Sequence, residues 1–259
     1  MQLSLRHARG FSLAEIAVVM VIVGLLIGGL LAPLSAQMEQ RNFADTQKRI
    51  EYANELLLGF AIANGRLPCP ASSTSNGDES PTGGTTACTN YYDGYLPAKA
   101  LGMQPVDSSG YALDAFNNRI RYALSNSVTP AASTTCAAPT YPAFSSSTNL
   151  KANGLQCLPF DLLVCSSSQA SGFSGTSCGT SNSLVNTKTV VAIVFSMGKN
   201  GASTDATRAD ELANTDANAT FVYHTPTPAG ASGGEYDDQM VWISAGLLFG
   251  RMVSAGVLP

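Results

Sequence analysis

Charge is scarce in this chain. Only 12% of its 259 residues are Asp, Glu, Lys or Arg, against about 25% in ordinary soluble domains. Gly, Ser, Thr, Ala and Asn fill the gap, giving a weakly charged surface suited to packing among copies of itself or to work outside the cell. The net charge is −4; without residues 1–10, which carry Arg6 and Arg9, 12 bases face 18 acids and it becomes −6. Such a body gives no support for binding nucleic acid, which requires clustered bases to neutralise phosphates. Histidine is rarer still: only His7 and His224 occur. No two of the six cysteines are spaced CxxC, and only His224 lies among or after them, so zinc-site spacings are absent. No P-loop, dinucleotide fingerprint or His-Glu-x-x-His motif is present. The single tryptophan, Trp242, and the tyrosines are expected to pack in the core or on strands.

What the chain has is concentrated at its N-terminus. Residues 1–10 are short and basic and end in Gly10. Phe11-Ser12-Leu13-Ala14-Glu15 follows, and then Ile16 to Leu31, sixteen residues without a polar side chain. The stretch 11–36 is long enough to cross a bilayer, which takes roughly 20 residues. Arg6 and Arg9 would hold the N-terminus in the cytoplasm and place the rest of the chain outside it. Glu15 is the exception in this segment. A carboxylate at the edge of an apolar run is costly in lipid and marks a functional residue; pairing with a positive charge on another subunit makes it tolerable.

Gly10, then Phe11-Ser12-Leu13-Ala14-Glu15, then an apolar run containing Gly24, resembles the N-terminus of type IV prepilins and of type II secretion pseudopilins. The resemblance covers about residues 6–36. It implies cleavage between Gly10 and Phe11 by a prepilin peptidase, N-methylation of Phe11, and a role for Glu15 in assembly with other pilin or pseudopilin subunits. It also implies an inner-membrane precursor, single-pass with its N-terminus cytoplasmic, that becomes a periplasmic or surface filament subunit, most simply a minor pilin with a part in priming assembly or in adhesion. Pro33 departs from the pattern: it lies one place later than the proline common in major pilins, after Gly28-Gly29. The rival reading is an ordinary secretory signal cut after Leu34-Ser35-Ala36, which would leave a secreted binding protein or hydrolase.

Beyond residue 37 apolar residues recur at helical spacing (Phe43, Ile50, Leu57, with Ala53 and Phe60 interleaved), and charges lie between them. Asp45 and Arg49 form an i,i+4 pair, and Asn64-Gly65 with Pro68 supplies a stop. The pattern predicts one helix from Phe11 to about Asn64. The expected organisation is a leader at 1–10, a membrane or filament-core segment at 11–36, an amphipathic half-helix at 37–64 and a globular head at 65–259. In the head, strands are expected at about Arg119–Leu124, Phe160–Cys165, Thr189–Met197, Thr220–His224 and Met240–Ser244, with a short helix at Ala209–Ala213. The fold class is α+β, a long N-terminal helical spine on an antiparallel sheet.

Cys69, Cys88, Cys136, Cys157, Cys165 and Cys178 are an even set behind an export-type N-terminus and suggest disulfides. Fifteen connectivities exist; pairing of neighbours in order is the expected one. Three head segments resemble parts of major pseudopilins: Asp114-Ala115-Phe116-Asn117-Asn118 with Tyr122, the turn Ser196–Gly201, and Asp237-Asp238 before the last strand. In those proteins the neighbourhood can hold calcium. The resemblance therefore makes Asp237, Asp238, Asn200 and Asp205 candidate calcium ligands, the alternative being solvated acids on a hairpin and no cofactor. Gly175-Thr176-Ser177-Cys178-Gly179 matches G-x-S-x-G, and Asp205, Asp210, Asp216 and His224 follow in hydrolase order. It sits in a low-complexity run without a leading strand or following helix, so the chain is expected not to be an enzyme.

Overall fold

Ser12 and Glu15 begin the ordered chain with a reciprocal cap. The Ser12 N–H donates to Glu15 Oε2 at 2.8 Å and the Glu15 N–H to Ser12 Oγ at 3.3 Å, a capping box that satisfies two donors left open at a helix start. In the computed structural model, which describes residues 12–83, 87–126, 143–154, 161–185, 189–201, 205–231 and 233–258 apart from the side chains of 27, 29–34 and 153, helix α1 then runs from Leu13 to Asn64. It continues unbroken past Gly28-Gly29 and Pro33. It stops where Gly65 adopts φ +69°, a left-handed conformation that glycine enters without penalty. The remaining elements are β1 (Gly94–Tyr95), α2 (Ala98–Leu101), β2 (Arg121–Leu124), α3 (Ser147–Asn153), β3 (Leu163–Cys165), β4 (Phe173–Ser174), β5 (Ser177–Cys178), β6 (Val190–Ser196), α4 (Ala209–Ala213), β7 (Thr220–Val222), β8 (Gln239–Ser244) and α5 (Ala245–Ser254).

Two compact units divide inside α1, up to Ala44 and from Asp45 onward. In the first, every described side chain from Ser12 to Leu26 is exposed, including Leu13 at 88%. Among the described residues no helix is long and apolar enough to cross a membrane. The expected span at 11–36 includes residue 11 and the side chains of 27 and 29–34, which lie outside the described residues.

The second unit is the head with the C-terminal part of α1. Its main sheet has the order β1-β2-β6-β8, antiparallel throughout. Ile50, Ala53, Leu57 and Ala61 form a buried stripe on α1. They share a core with Tyr122 and Leu124 of β2, Val194 of β6 and Leu248, Phe249 and Met252 of α5. Each large apolar side chain so buried contributes roughly 1.5–3 kcal/mol. Across the sheet, Ile193, Phe195 and Met240 pack on Val164 and Phe221. Covered on both faces, β6 reads as the unbroken apolar run Val190–Phe195, which is the pattern of a doubly buried strand. Arg49 donates to the carbonyls of Leu113 and Asp114 while pairing with Asp45 at 2.9 Å, tying the helix to the segment before β2.

The four-stranded sheet is antiparallel, as expected; a separate two-stranded sheet, which was not expected, pairs β3 and β7 in parallel. Residues 166–183, which look like a featureless linker in the sequence, contain the β4–β5 hairpin. Helix α5 was not expected; Ser244 caps it by accepting the Leu247 N–H, and Leu248, Phe249 and Met252 bury one face. Cys69–Cys88 and Cys165–Cys178 are disulfide-bonded, as neighbour pairing anticipates. Cys136 and Cys157 lie outside the described residues.

Candidate functional site

Two places gather the candidate functional residues. The first is the start of α1. Gly10 and Phe11 fall outside the described residues. Glu15 stands in the first turn, exposed and engaged by Ser12, where a carboxylate also meets the positive end of the helix dipole. The S-x-x-E signature of this cap was readable in the sequence and passed unnoticed beside the prepilin pattern. Behind Glu15, Ile16, Val18, Val19, Met20, Val21, Ile22, Val23, Leu25 and Leu26 are all exposed. A helix apolar on every side has no aqueous ground state: lipid or other helices must cover it.

The second place is in the head, where the three pseudopilin-like segments meet. Asp114 Oδ1 accepts the N–H groups of Phe116 and Asn118, and its Oδ2 accepts the Ser196 hydroxyl at 2.6 Å. Asn118 Nδ2 donates to the Gly198 carbonyl, and the Gly198 N–H to Ser196 Oγ. The Lys199 N–H donates to Asp237 Oδ2 at 3.1 Å. Gly198, at φ +61°, admits no side chain, because a Cβ there would lie 2.0 Å from Asp237 Oδ1. The turn is glycine so that the acid can approach the backbone.

Asp237 and Asp238 are brought together with Glu211 of α4. Each of the three offers an oxygen within 4.8 Å of the others. Glu211 Oε1 accepts the Asp237 N–H at 2.8 Å and Asn200 Nδ2 at 3.2 Å. Asp238 Oδ2 accepts Asn214 Nδ2 at 2.7 Å, and Asn214 also clamps both backbone groups of Val222. Asp237 Oδ1 and Asp238 Oδ1 are buried with no hydrogen-bond partner among the described residues. Burial, together with the negative charge of Glu211, pushes the Asp237 carboxyl up to about 7 and raises Asp238 well above the ordinary range; burial raises Glu211 too. Arg208 offsets part of this, 3.8 Å from Glu211 and 2.7 Å from Glu235.

Of the four calcium candidates from the sequence, Asp237 and Asp238 are in this cluster and Asn200 borders it as a donor to Glu211. Asp205 is not in it. Its Oδ1 accepts the N–H and hydroxyl of Thr207 in an exposed turn. Glu211, which sequence reasoning missed, supplies the third carboxylate. Its only sequence signal was the acidic first turn of the short Ala209–Ala213 helix. The donor set fits the calcium ion that the resemblance implies: it is all oxygen, anionic, and two of its oxygens are buried and unpartnered.

The hydrolase alternative finds no support in the geometry. Ser177 lies on the β4–β5 hairpin, its hydroxyl accepting the Gly179 N–H, not on a strand-turn-helix elbow. His224 is held on both ring nitrogens. Nε2 meets Asp210 Oδ2 at 3.2 Å, Nδ1 meets the Thr225 carbonyl at 2.8 Å, and the ring stacks on Tyr236. Neither nitrogen is available to a nucleophile, and Asp210 is further committed to Ser167 and Ser168.

No curated protein and no solved structure matches the chain. A family model described as the prokaryotic N-terminal methylation motif matches residues 5–31. That interval holds Gly10, Phe11, Glu15 and the exposed apolar start of α1, and so the chain carries the prepilin-type signal of type IV pilins and pseudopilins.

Proposed function

We propose that this protein is a minor pilin, a structural subunit of a type IV pilus-like filament. The observation that carries the reading is the register of the methylation motif at residues 5–31 with the exposed apolar face of α1 and with Glu15 in its first turn. The precursor inserts with its basic tip in the cytoplasm. A prepilin peptidase cuts between Gly10 and Phe11, and Phe11 is N-methylated. The apolar part of α1 then exchanges lipid for a bundle of like helices, where Glu15 pairs with the N-terminal amine of a neighbouring subunit. The membrane stage rests on the sequence of residues 11–36 and the motif. The disulfide-tied head, residues 65–259, is large for a subunit repeated at every filament position, which favours a minor component that primes assembly or presents an adhesive surface.

Mass spectrometry of the mature chain tests the processing. A methylated Phe11 at the N-terminus is expected; a start at Gln37 would overturn the reading by removing the spine. Glu15→Ala tests the assembly step. It should leave membrane insertion and cleavage intact and reduce incorporation into filaments at least several-fold; normal incorporation would refute the pairing. The convergence of Asp114, Ser196–Gly201 and Asp237-Asp238 favours a second reading, a secretion pseudopilin, because those segments resemble major pseudopilins. Deletion separates the two: loss of surface pili supports the first, periplasmic retention of exported proteins the second.

A further inference from the structure

We infer that Asn218 is a site of N-linked glycosylation, its side-chain nitrogen taking an oligosaccharide from a polyprenyl diphosphate carrier after export and before the head closes. The inference rests on the export that the proposed function entails.

Only one asparagine in the chain stands in an Asn-x-Ser/Thr triplet with x other than proline: Asn218-Ala219-Thr220. That triplet is the acceptor pattern for N-glycosylation and has meaning on a surface loop of an exported protein. The two disulfides accord with an oxidising compartment. The triplet begins in the loop that joins α4 to β7, and Asp216 and Ala217 just before it are exposed. Ala217 has φ +61°, a left-handed conformation uncommon for a residue with a Cβ, so the chain turns sharply on reaching the acceptor. Asn218 Oδ1 accepts the Thr220 N–H at 2.8 Å. The Asp216 carboxylate accepts the Asn218 N–H at 3.2 Å and meets the side-chain amide. Asp216 is the one charge in residues 216–220 and gives a transferase an ionic hold two places before the acceptor.

The folded head has room for the glycan but does not present the whole triplet. Beside Asn218 the tip of the β4–β5 hairpin carries Gly175, whose φ is not left-handed, so its backbone does not call for glycine. A Cβ there would lie 3.0 Å from Asn218 Cβ and 3.1 Å from Nδ2; the missing side chain leaves the acceptor amide uncrowded on that side. Thr220, in contrast, is fully buried. Its hydroxyl donates to the Ser174 carbonyl at 2.9 Å, and its backbone pairs with Leu163 of β3. A transferase that reads this hydroxyl has to meet the chain before β7 is laid against β3. The transfer forms a bond from Asn218 Nδ2 to the anomeric carbon of the carried sugar and breaks that carbon's bond to the diphosphate oxygen. The amide proton passes to a base of the transferase, polyprenyl diphosphate leaves, and nothing is oxidised or reduced.

Mass spectrometry of the mature protein, isolated from the cells that make it, reads the tryptic peptide 209–251. A glycan mass on Asn218 is expected. Asn218→Gln and Thr220→Val should abolish it, whereas Thr220→Ser, which keeps the hydroxyl, should retain it; a merely structural threonine would not divide occupancy in this way. Asp216→Asn should lower occupancy at least several-fold. Offered to a purified oligosaccharyltransferase with a polyprenyl-diphosphate oligosaccharide, the reduced and denatured chain should be modified at least tenfold faster than the folded one. A bare Asn218 in a chain that starts at Phe11 would overturn the glycan and leave the filament reading intact. A glycan on Asn218 in a chain that starts at Gln37 would support the site and sink the filament reading alone. A mass that persists in Asn218→Gln would put the sugar on a hydroxyl and overturn the site. Parental occupancy in Asp216→Asn would overturn the role of Asp216, and equal rates on folded and denatured chains would overturn the timing.

Discussion

Replacing Glu79 by glutamine should be among the most damaging single changes in the head. Arg66 and Glu79 form a two-pronged pair, Nη1 to Oε2 at 2.8 Å and Nη2 to Oε1 at 2.7 Å, with both side chains under 10% exposed. Glu79 also accepts the Cys69 N–H at 3.1 Å and the Gly83 N–H at 2.9 Å. It thus fastens the chain after α1 to the loop closed by Cys69–Cys88. Glutamine is the same size, but it leaves the Arg66 charge buried and turns an amide donor toward the guanidinium or toward those N–H groups. Removing one partner of a buried pair costs about 3–5 kcal/mol. At roughly 2–4 °C per kcal/mol for a domain of this size, the midpoint should fall by about 6–20 °C. Burial alone would raise the Glu79 pKa, but the hydrogen bonds from Arg66, Gly83 and Cys69 and the Arg66 charge outweigh it and lower it. Its stabilisation is therefore complete above the unfolded value, near 4.3, and is lost as pH falls through the lower folded value. Denaturant unfolding of parent and Glu79→Gln should show a wide gap at pH 7 that narrows toward pH 3. A gap below about 1 kcal/mol at pH 7, or one that does not narrow, would refute the reasoning.

Two further changes probe the architecture. Leu57→Ala, in the fully buried stripe of α1, should destabilise the head by about 2–5 kcal/mol, while Glu55→Ala on the exposed face should stay within about 0.5 kcal/mol; equal effects in denaturant unfolding would mean that the stripe is not the packing face. Cys165→Ser with Cys178→Ser opens a loop closed across 13 residues, which should cost about 3 kcal/mol and speed proteolysis within 166–185; unchanged cleavage would show the β4–β5 hairpin to be self-sufficient.

How much of this was legible in advance depended on whether the signal was local. The 3.6-residue periodicity of Ile50, Ala53 and Leu57 and the Gly65 stop placed the end of α1 at Asn64, where the structure has it. The apolar run Val190–Phe195 announced β6 because both faces of that strand are covered. Helix α5 was hidden because Gly246 and Gly250 dilute its pattern, and tertiary burial of Leu248, Phe249 and Met252 overrides their poor helix propensity. The parallel pairing of β3 with β7 is a long-range choice that short apolar runs do not encode. The same division holds at the acidic cluster. Asp237 and Asp238 stood out as a pair, whereas Glu211, distant in sequence, is placed beside them only by α4. Asp205 looked equally eligible, but the Thr207 N–H two residues on captured it locally.

The two roles of Glu15 bear on each other. In the proposed assembly Glu15 moves from lipid edge to helix bundle through surroundings with few donors, and an unpaired charge there would oppose the transfer. The Ser12 N–H and Oγ contacts give it a partner within its own chain, so it is never bare before a neighbour's amine arrives. That self-satisfaction also sets a threshold. The incoming amine has to be worth more than the Ser12 N–H it displaces, and a positively charged amine is, since charge-assisted hydrogen bonds are about twice as strong as neutral ones. An uncut precursor cannot meet this condition: before cleavage Phe11 contributes only an amide N–H, no better than that of Ser12. In the proposed assembly the capping box therefore makes Glu15 selective for processed neighbours, and the same four residues that start the helix also decide which subunits it accepts.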